Sequence, residues 1–262
     1  MYRCPCQTTN LRLALFGLRG VLTDPGSFAR PMALQQTFRH HGVNLPLTQF
    51  RQQVGQTETD HIQYLLGQPE VQRQWVTYCG RHPEVMDGMR VSNTYYKFLF
   101  EFNRQRAQVI PGVAATLIKL RYERDFQLGL VIPSGECLDG PDINALRTHG
   151  VFVHAVKTSF QQHLNLFKVP SREVVGVTDT PSDIETLRGL GVWTVGLTTT
   201  SNEMLYEMGE FGKLSETELE TRRKRVRAKM IEAGAHKCID DIVNLGLTLT
   251  RISEALARGE KP

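Results

Sequence analysis

At 262 residues the chain can bury a substantial core as one α/β domain or as a core domain with a smaller insertion, which excludes a mini-protein held together by disulfides or a metal. Hydrophobic and charged fractions of 40% and 22% exclude extensive disorder, and a formal charge of +4 is too small to mark a nucleic-acid binder. The densest basic run, Arg222-Arg223-Lys224-Arg225 with Arg227, lies among Glu216, Glu218 and Glu220 and is expected to form a solvated helix face.

The first ten residues lack a continuous apolar stretch of signal-peptide type, and no segment reaches membrane-spanning length, so a soluble, cytoplasmic protein is expected. Cysteines are five in number. Cys4 and Cys6 are close, but not at the usual metal-pair spacing, and with Cys79, Cys137 and Cys238 they are expected to be free thiols. Leu11 to Phe16 is a short, mostly apolar run stopped by Gly17 and Gly20, a buried strand entering a loop. From Arg30 to Arg104 the period becomes helical, with Met32, Leu34, Phe38, Tyr95, Phe98, Leu99 and Phe102 at three- and four-residue spacing and Pro46, Pro69 and Pro83 dividing the pieces. A helix through Leu117 and Leu120 follows Pro111-Gly112.

Residues 126–132, 152–156, 173–177 and 193–197 are further strand candidates. Their alternation with helical stretches predicts a doubly wound, Rossmann-like α/β fold with a parallel sheet, residues 1–25 and 105–262 forming the core domain and 26–104 an inserted helical domain. Ligands of such sheets sit beyond the carboxyl ends of the strands. Gly17 to Thr23, Pro133 to Glu136 and Thr178 to Asp183 are therefore the segments in which to seek chemistry.

The segments Gly191-Val192-Trp193-Thr194-Val195-Gly196-Leu197, Ala233-Gly234-Ala235-His236 with Ile239-Asp240, and the closing Ala255 to Pro262 resemble the phosphonoacetaldehyde hydrolase family of the haloacid dehalogenase superfamily. The resemblance runs from about Leu13 to Pro262 and implies a haloacid dehalogenase core with a helical cap. It also implies that most of the reacting residues have been replaced. An aspartate nucleophile and magnesium ligand belongs where Gly17 stands, in Phe16-Gly17-Leu18-Arg19-Gly20-Val21. The Schiff-base lysine of the cap corresponds to Glu58, in Val54-Gly55-Gln56-Thr57-Glu58-Thr59-Asp60-His61, and a carboxylate cannot form an imine. Ile132 occupies the position of the phosphate-binding hydroxyl, with Ser134 or the Gly135 amide as partial substitutes. Lys168 is not assigned the role of the missing basic residue.

One motif survives. Val177-Thr178-Asp179-Thr180-Pro181-Ser182-Asp183 matches the family's acidic pattern after a strand, so Asp179 and Asp183 either form a residual, weak Mg²⁺ site or cap the following helix. Asp24 reads as a loop or capping residue. Arg19 is expected to border the former metal site and to pair with Asp179 or Asp183; Arg19, Ser134 and His61 are the candidate ligand contacts. The sequence thus suggests a catalytically inactive phosphonatase-like protein acting as a binding or partner subunit. The alternative is an active hydrolase of a phosphonate or phosphate ester with altered chemistry. Expected partners are a phosphate or phosphonate ligand and a second subunit, as a homodimer through the cap or a heterodimer with an active relative, with no role for nucleic acid or membrane.

Overall fold

The computed structural model describes residues 11–51, 58–132, 140–151, 153–156, 159–207 and 209–262. Six strands form one parallel sheet: β1 (Leu13–Phe16), β2 (Gln127–Val131), β3 (His154–Val156), β4 (Val174–Thr178), β5 (Trp193–Leu197) and β6 (Lys237–Ile239), in the order β3-β2-β1-β4-β5-β6. Every residue of β1, β4 and β5 is buried, as expected for strands covered on both faces. Alternate side chains divide between the two faces. Ala14 and Phe16 pack with Leu128, Leu130, Val175 and Val177 beneath α5 (Val113–Glu123), α6 (Pro141–Thr148) and α10 (Leu245–Ala257). Leu13 and Leu15 point the other way, to α7 (Phe160–Phe167) and α8 (Pro181–Gly189). Gly176 permits that second layer to sit close, because a β-carbon there would run into the Leu187 side chain.

β6 is absent from the strands the sequence predicts. Its three residues lie at the sheet edge, with Lys237 exposed and only Ile239 buried, and so give neither an apolar run nor a clear alternation.

Between β1 and β2 the chain forms α1 (Ala29–His40), α2 (Glu58–Leu66), α3 (Pro69–Cys79) and α4 (Val85–Arg106), with a short 3-10 helix over Leu47–Arg51. The predicted prolines act as punctuation: Pro69 opens α3, while Pro46 and Pro83 lie just before helical turns. These helices bury an apolar cluster of their own, with Phe38, Phe50, Ile62, Trp75, Val91, Tyr95 and Leu99 at its centre. The chain enters and leaves the insertion side by side. Thr23 bridges Val109, the Asp24 amide donates to the Gln108 carbonyl at 3.2 Å, and that of Ile110 to Leu22 at 2.9 Å.

The basic run lies on α9 (Glu216–Glu232) and is not simply the solvated face expected. Arg222 pairs with Glu210 at 3.0 Å and Glu218 at 2.7 Å, Arg223 donates to the Thr199 hydroxyl, and Arg227 pairs with Asp240 at 2.7 Å. Much of this charge is spent holding α9 to the loops beyond β5 and β6. Cys79 and Cys238 are free thiols, while Cys4, Cys6 and Cys137 lie outside the described residues. Among the described residues no helix is long and apolar enough to cross a membrane.

Candidate functional site

Strand order reverses at β1, with β2 and β3 on one side and β4 to β6 on the other. Connections leaving β1 and β4 diverge there, and a cleft opens beyond their carboxyl ends. A cavity of about 430 Å³ fills it. The core contributes Gly17, Arg19, Asp179 and Asp183, and the helical insertion closes the other side with Arg30, Arg51 and His61. Five of the predicted positions are thus brought together: Gly17, Arg19, His61, Asp179 and Asp183.

The others are not all available to the cavity. The Ile132 side chain is buried in the core layer, and it is Val131 that lines the cavity, so the supposed hydroxyl position points away from the site. Glu58 is the first residue of α2, and its side chain lies outside what the structure describes, as does Ser134. Lys168 is exposed at the left-handed C-cap of α7 and does not line the cavity, in keeping with the role withheld from it. At the position of the expected nucleophile, the Gly17 amide donates to the Val177 carbonyl at 3.0 Å, continuing the β1–β4 ladder.

Arg19 corrects the sequence expectation. It borders the cavity, but its described ion pairs run to Asp142 at 2.5 Å and Asp24 at 3.7 Å, and not to Asp179 or Asp183. Asp142 lies in the first turn of α6, too far along the chain for local spacing to reveal it. Asp24 does act as a capping residue, as expected: its Oδ2 accepts from the Ala29 amide at 2.9 Å, where α1 begins. It also accepts from Arg106 Nε at 3.2 Å at the end of α4, so one buried carboxylate ties both crossings to Arg19.

Asp179 follows β4 and is almost completely buried. Its Oδ2 accepts from Ser27 Oγ at 3.1 Å and from the Asn202 amide at 3.0 Å. Gly20, at a φ of +71°, leaves room for this carboxylate, since a β-carbon there would collide with it. Burial pushes the Asp179 carboxyl up to about 7, against the lowering effect of those hydrogen bonds. Asp183 stands in the first turn of α8, where its amide donates to the N-cap Thr180 hydroxyl at 3.2 Å and its Oδ2 accepts from Thr178 Oγ1 at 2.8 Å. The cap of α8 is therefore Thr180 and not the acidic pair, Asp183 being the residue whose amide is capped, and burial raises its carboxyl. His61 is held neutral, pushed down to about 4 by burial and by the nearby Arg30 charge.

Sequence reasoning missed Arg51 and Asn202. Arg51 is 3% exposed; its Nη1 donates to the Gly26 carbonyl at 2.6 Å and to Asn202 Oδ1 at 3.0 Å, and its guanidinium lies 4.6 Å from the centre of the Phe28 ring. Burial draws its pKa down to about 10, which leaves it a cation at neutral pH. No periodicity marks an isolated arginine in a 3-10 turn. Asn202 was within reach of the rule applied to the other strands: it belongs to the polar run Thr198 to Asn202 after β5, in which Ser201 Oγ donates to the Asp179 carbonyl at 2.6 Å and Thr200 Oγ1 to that of Gly20 at 2.5 Å.

Magnesium, implied by the resemblance, can be tested against this donor set. Asp179 and Asp183 are the carboxylates lining the cavity among the described residues, one carrying two hydrogen bonds on a single oxygen and the other accepting from the Thr178 hydroxyl. Gly17 offers no third, and three guanidinium groups line the same space. Among the described residues no group of three or more His, Cys, Asp or Glu is placed to hold a metal. Such a set does not fit a tightly held Mg²⁺, which favours near-octahedral oxygen ligation, and suits an anion better.

No family model matches the chain. It is 30% identical over 251 residues to a phosphonoacetaldehyde hydrolase of Bacteroides fragilis, covering 90% of this chain and 95% of the relative. With one of Paraburkholderia xenovorans it shares 26% identity over 266 residues, covering 97% and 99%. Among solved structures, a phosphonoacetaldehyde hydrolase-like protein from Oleispira antarctica superposes with a TM-score of 0.85 at 24% identity over the full length of both chains. A predicted phosphoglycolate phosphatase from Haemophilus somnus gives 0.65 at 14% identity, covering 92% of this chain and 99% of that one.

Proposed function

The chain belongs to the phosphonoacetaldehyde hydrolase family, and from that premise we propose that it is a catalytically silent member whose cleft binds a small phosphate or phosphonate anion without turning it over. The observation that carries this is the composition of the cavity: Gly17 stands where the resemblance puts the attacking carboxylate, and Arg19, Arg30 and Arg51 line the space around it. A covalent route divides a hard displacement into two easier steps and needs a nucleophile at the start. With Gly17 and Glu58 at the two covalent positions, neither an acyl-type phosphoenzyme nor an imine has an atom from which to form. The surviving acidic pair supports the same reading. Asp183 Oδ2 is engaged by the Thr178 hydroxyl and Asp179 Oδ2 by Ser27 and the Asn202 amide, so each carboxylate already has one oxygen bonded within the protein.

The test is an assay of the purified protein on phosphonoacetaldehyde with and without Mg²⁺, beside a thermal-shift series with phosphate and simple phosphonates. We expect no hydrolysis above the buffer blank, and a rise in melting temperature with at least one anion, since a ligand of the native state stabilises it by about 2.7 kcal/mol at a hundredfold excess over Kd. Turnover that disappears in Asp179→Ala would establish the alternative, a hydrolase with altered chemistry.

The proposal extends to association with a second subunit through the helical insertion, as a homodimer or with an active relative. What supports it is a stripe on α4: Val85, Met89, Tyr96 and Phe100, with Met86 at its edge, fall on one helical face and are all exposed.

A further inference from the structure

We infer that Arg51 is the anion anchor of the cavity, its Nε–H and Nη2–H edge forming a two-pronged clamp for the acidic head of a small organic phosphonate or phosphate monoester, with Asn202 Nδ2 donating to a third oxygen. The inference rests on the reading that the cleft binds an anion, and it names the residues and the class of head group. Arg51 is fixed from one side only: Nη1 is spent on Gly26 and Asn202, and the guanidinium packs on Phe28. Its Nε and Nη2 are buried without a hydrogen-bond partner, and the side chain lines the cavity.

These two nitrogens share one edge of the guanidinium plane. Their parallel N–H bonds match two oxygens of a carboxylate or of a tetrahedral oxyanion, and a buried guanidinium with that edge unused carries an uncompensated desolvation cost. Arg19 is in a different state, its charge matched by Asp142 and Asp24. Asn202 supplies an independent observation. Its Oδ1 accepts from Arg51, which directs the amide nitrogen elsewhere; Nδ2 is also buried without a partner, and Asn202 lines the same cavity.

Two bonds from Arg51 satisfy a carboxylate, whereas the remaining donor on Asn202 calls for a third oxygen, which favours a tetrahedral head. Leu34, Phe50, Tyr95 and Phe160 make part of the wall apolar, so the rest of the ligand is expected to be an uncharged, largely apolar body. This anchor is supplied by the insertion and the β5 loop, whereas the resemblance draws the nucleophile and the phosphate-binding hydroxyl from the segments after β1 and β2.

Phenylphosphonate and benzoate share one body and differ in the head, which makes them suitable probes for titration calorimetry on the full chain. Phenylphosphonate should bind the wild type about tenfold more tightly than benzoate, and Arg51→Lys should weaken it by about tenfold, because an ammonium keeps the charge and loses the fork. Arg258→Lys, at an exposed ion pair with Glu260 that does not line the cavity, should change that affinity by less than about twofold. A readout that needs no variant is the ¹⁵N–¹H resonance of Arg51 Nε, which should shift as phenylphosphonate is added. Equal affinity in wild type and Arg51→Lys, or an Nε resonance that does not move on binding, overturns the anchor and leaves the binding reading intact. Benzoate binding as tightly as phenylphosphonate overturns the tetrahedral head, and a wild type that binds neither acid removes both this inference and the reading beneath it.

Discussion

Asp179 holds its proton for a reason that can be read out without knowing the ligand. Its folded pKa, pushed up to about 7 by burial, stands above the usual carboxyl value near 3.8, so the native state keeps a proton that the unfolded chain releases. Stability from this group is therefore fully present below about pH 4 and is lost as pH rises towards 7. His61 and His236, both pushed down to about 4 by burial, act in the opposite direction: their contribution is lost as pH falls from about 6.5 to 4. The wild-type profile mixes these slopes, and Asp179→Asn removes only the first. The variant should match the wild type near pH 4 and become more stable than it by on the order of a few kcal/mol above pH 7, as measured by urea unfolding at pH 4, 5.5 and 7.5. A gap that does not change with pH would mean that Asp179 ionises normally. At this scale the sequence was partly legible. Gly17, Asp179 and Asp183 could be placed because each follows a strand end, whereas Arg19 could not be paired correctly, since Asp142 reaches it only through the packing of α6 against the sheet.

At the scale of elements, what the sequence revealed depended on how completely each element is buried. β1, β4 and β5 are covered on both faces and read as continuous apolar runs, while β6, with one buried residue, left no signal. The insertion was visible through its change of period and its prolines. How it is fastened was not: Asp24 joins the start of α1 to the end of α4 across the two crossings, a link made by residues 82 apart. α4 illustrates the opposite limit. Val91, Tyr95 and Leu99 face the insertion core, and Val85, Met89, Tyr96 and Phe100 face out, so the helix is apolar on two sides and only one is accounted for within the chain. If the outer stripe is an association face, light scattering should give the mass of a dimer, and Phe100→Glu should shift it towards monomer by placing a charge in an apolar contact. A wild type that is monomeric throughout would leave the homodimer without support.

For the whole molecule, the question is whether the lost chemistry was removed at two positions or dispersed through the site. Gly17→Asp is sterically admissible, because a β-carbon there would meet Val21 Cγ2 at 3.3 Å and Thr178 Oγ1 at 3.8 Å, a tight but adjustable fit. Paired with Glu58→Lys it restores both covalent reactants that the resemblance calls for. The surroundings would still be those of the present site. Ile132 is committed to the core, so no hydroxyl replaces it; the Asp183 carboxylate is bonded to the Thr178 hydroxyl; and three arginines would compete with any metal for the new carboxylate. Residues that act as a unit in catalysis contribute little when restored singly, because each depends on the others being in place. The double variant should therefore hydrolyse phosphonoacetaldehyde at least about a hundredfold more slowly than the Bacteroides fragilis relative under the same conditions, even with Mg²⁺ in excess. The same preparation should remain folded, with a cooperative melt, so that low activity is not mistaken for loss of structure. Recovery to within tenfold of the relative would show that the arginines and the altered strand ends are compatible with the chemistry, and that silence in this chain rests on Gly17 and Glu58 alone.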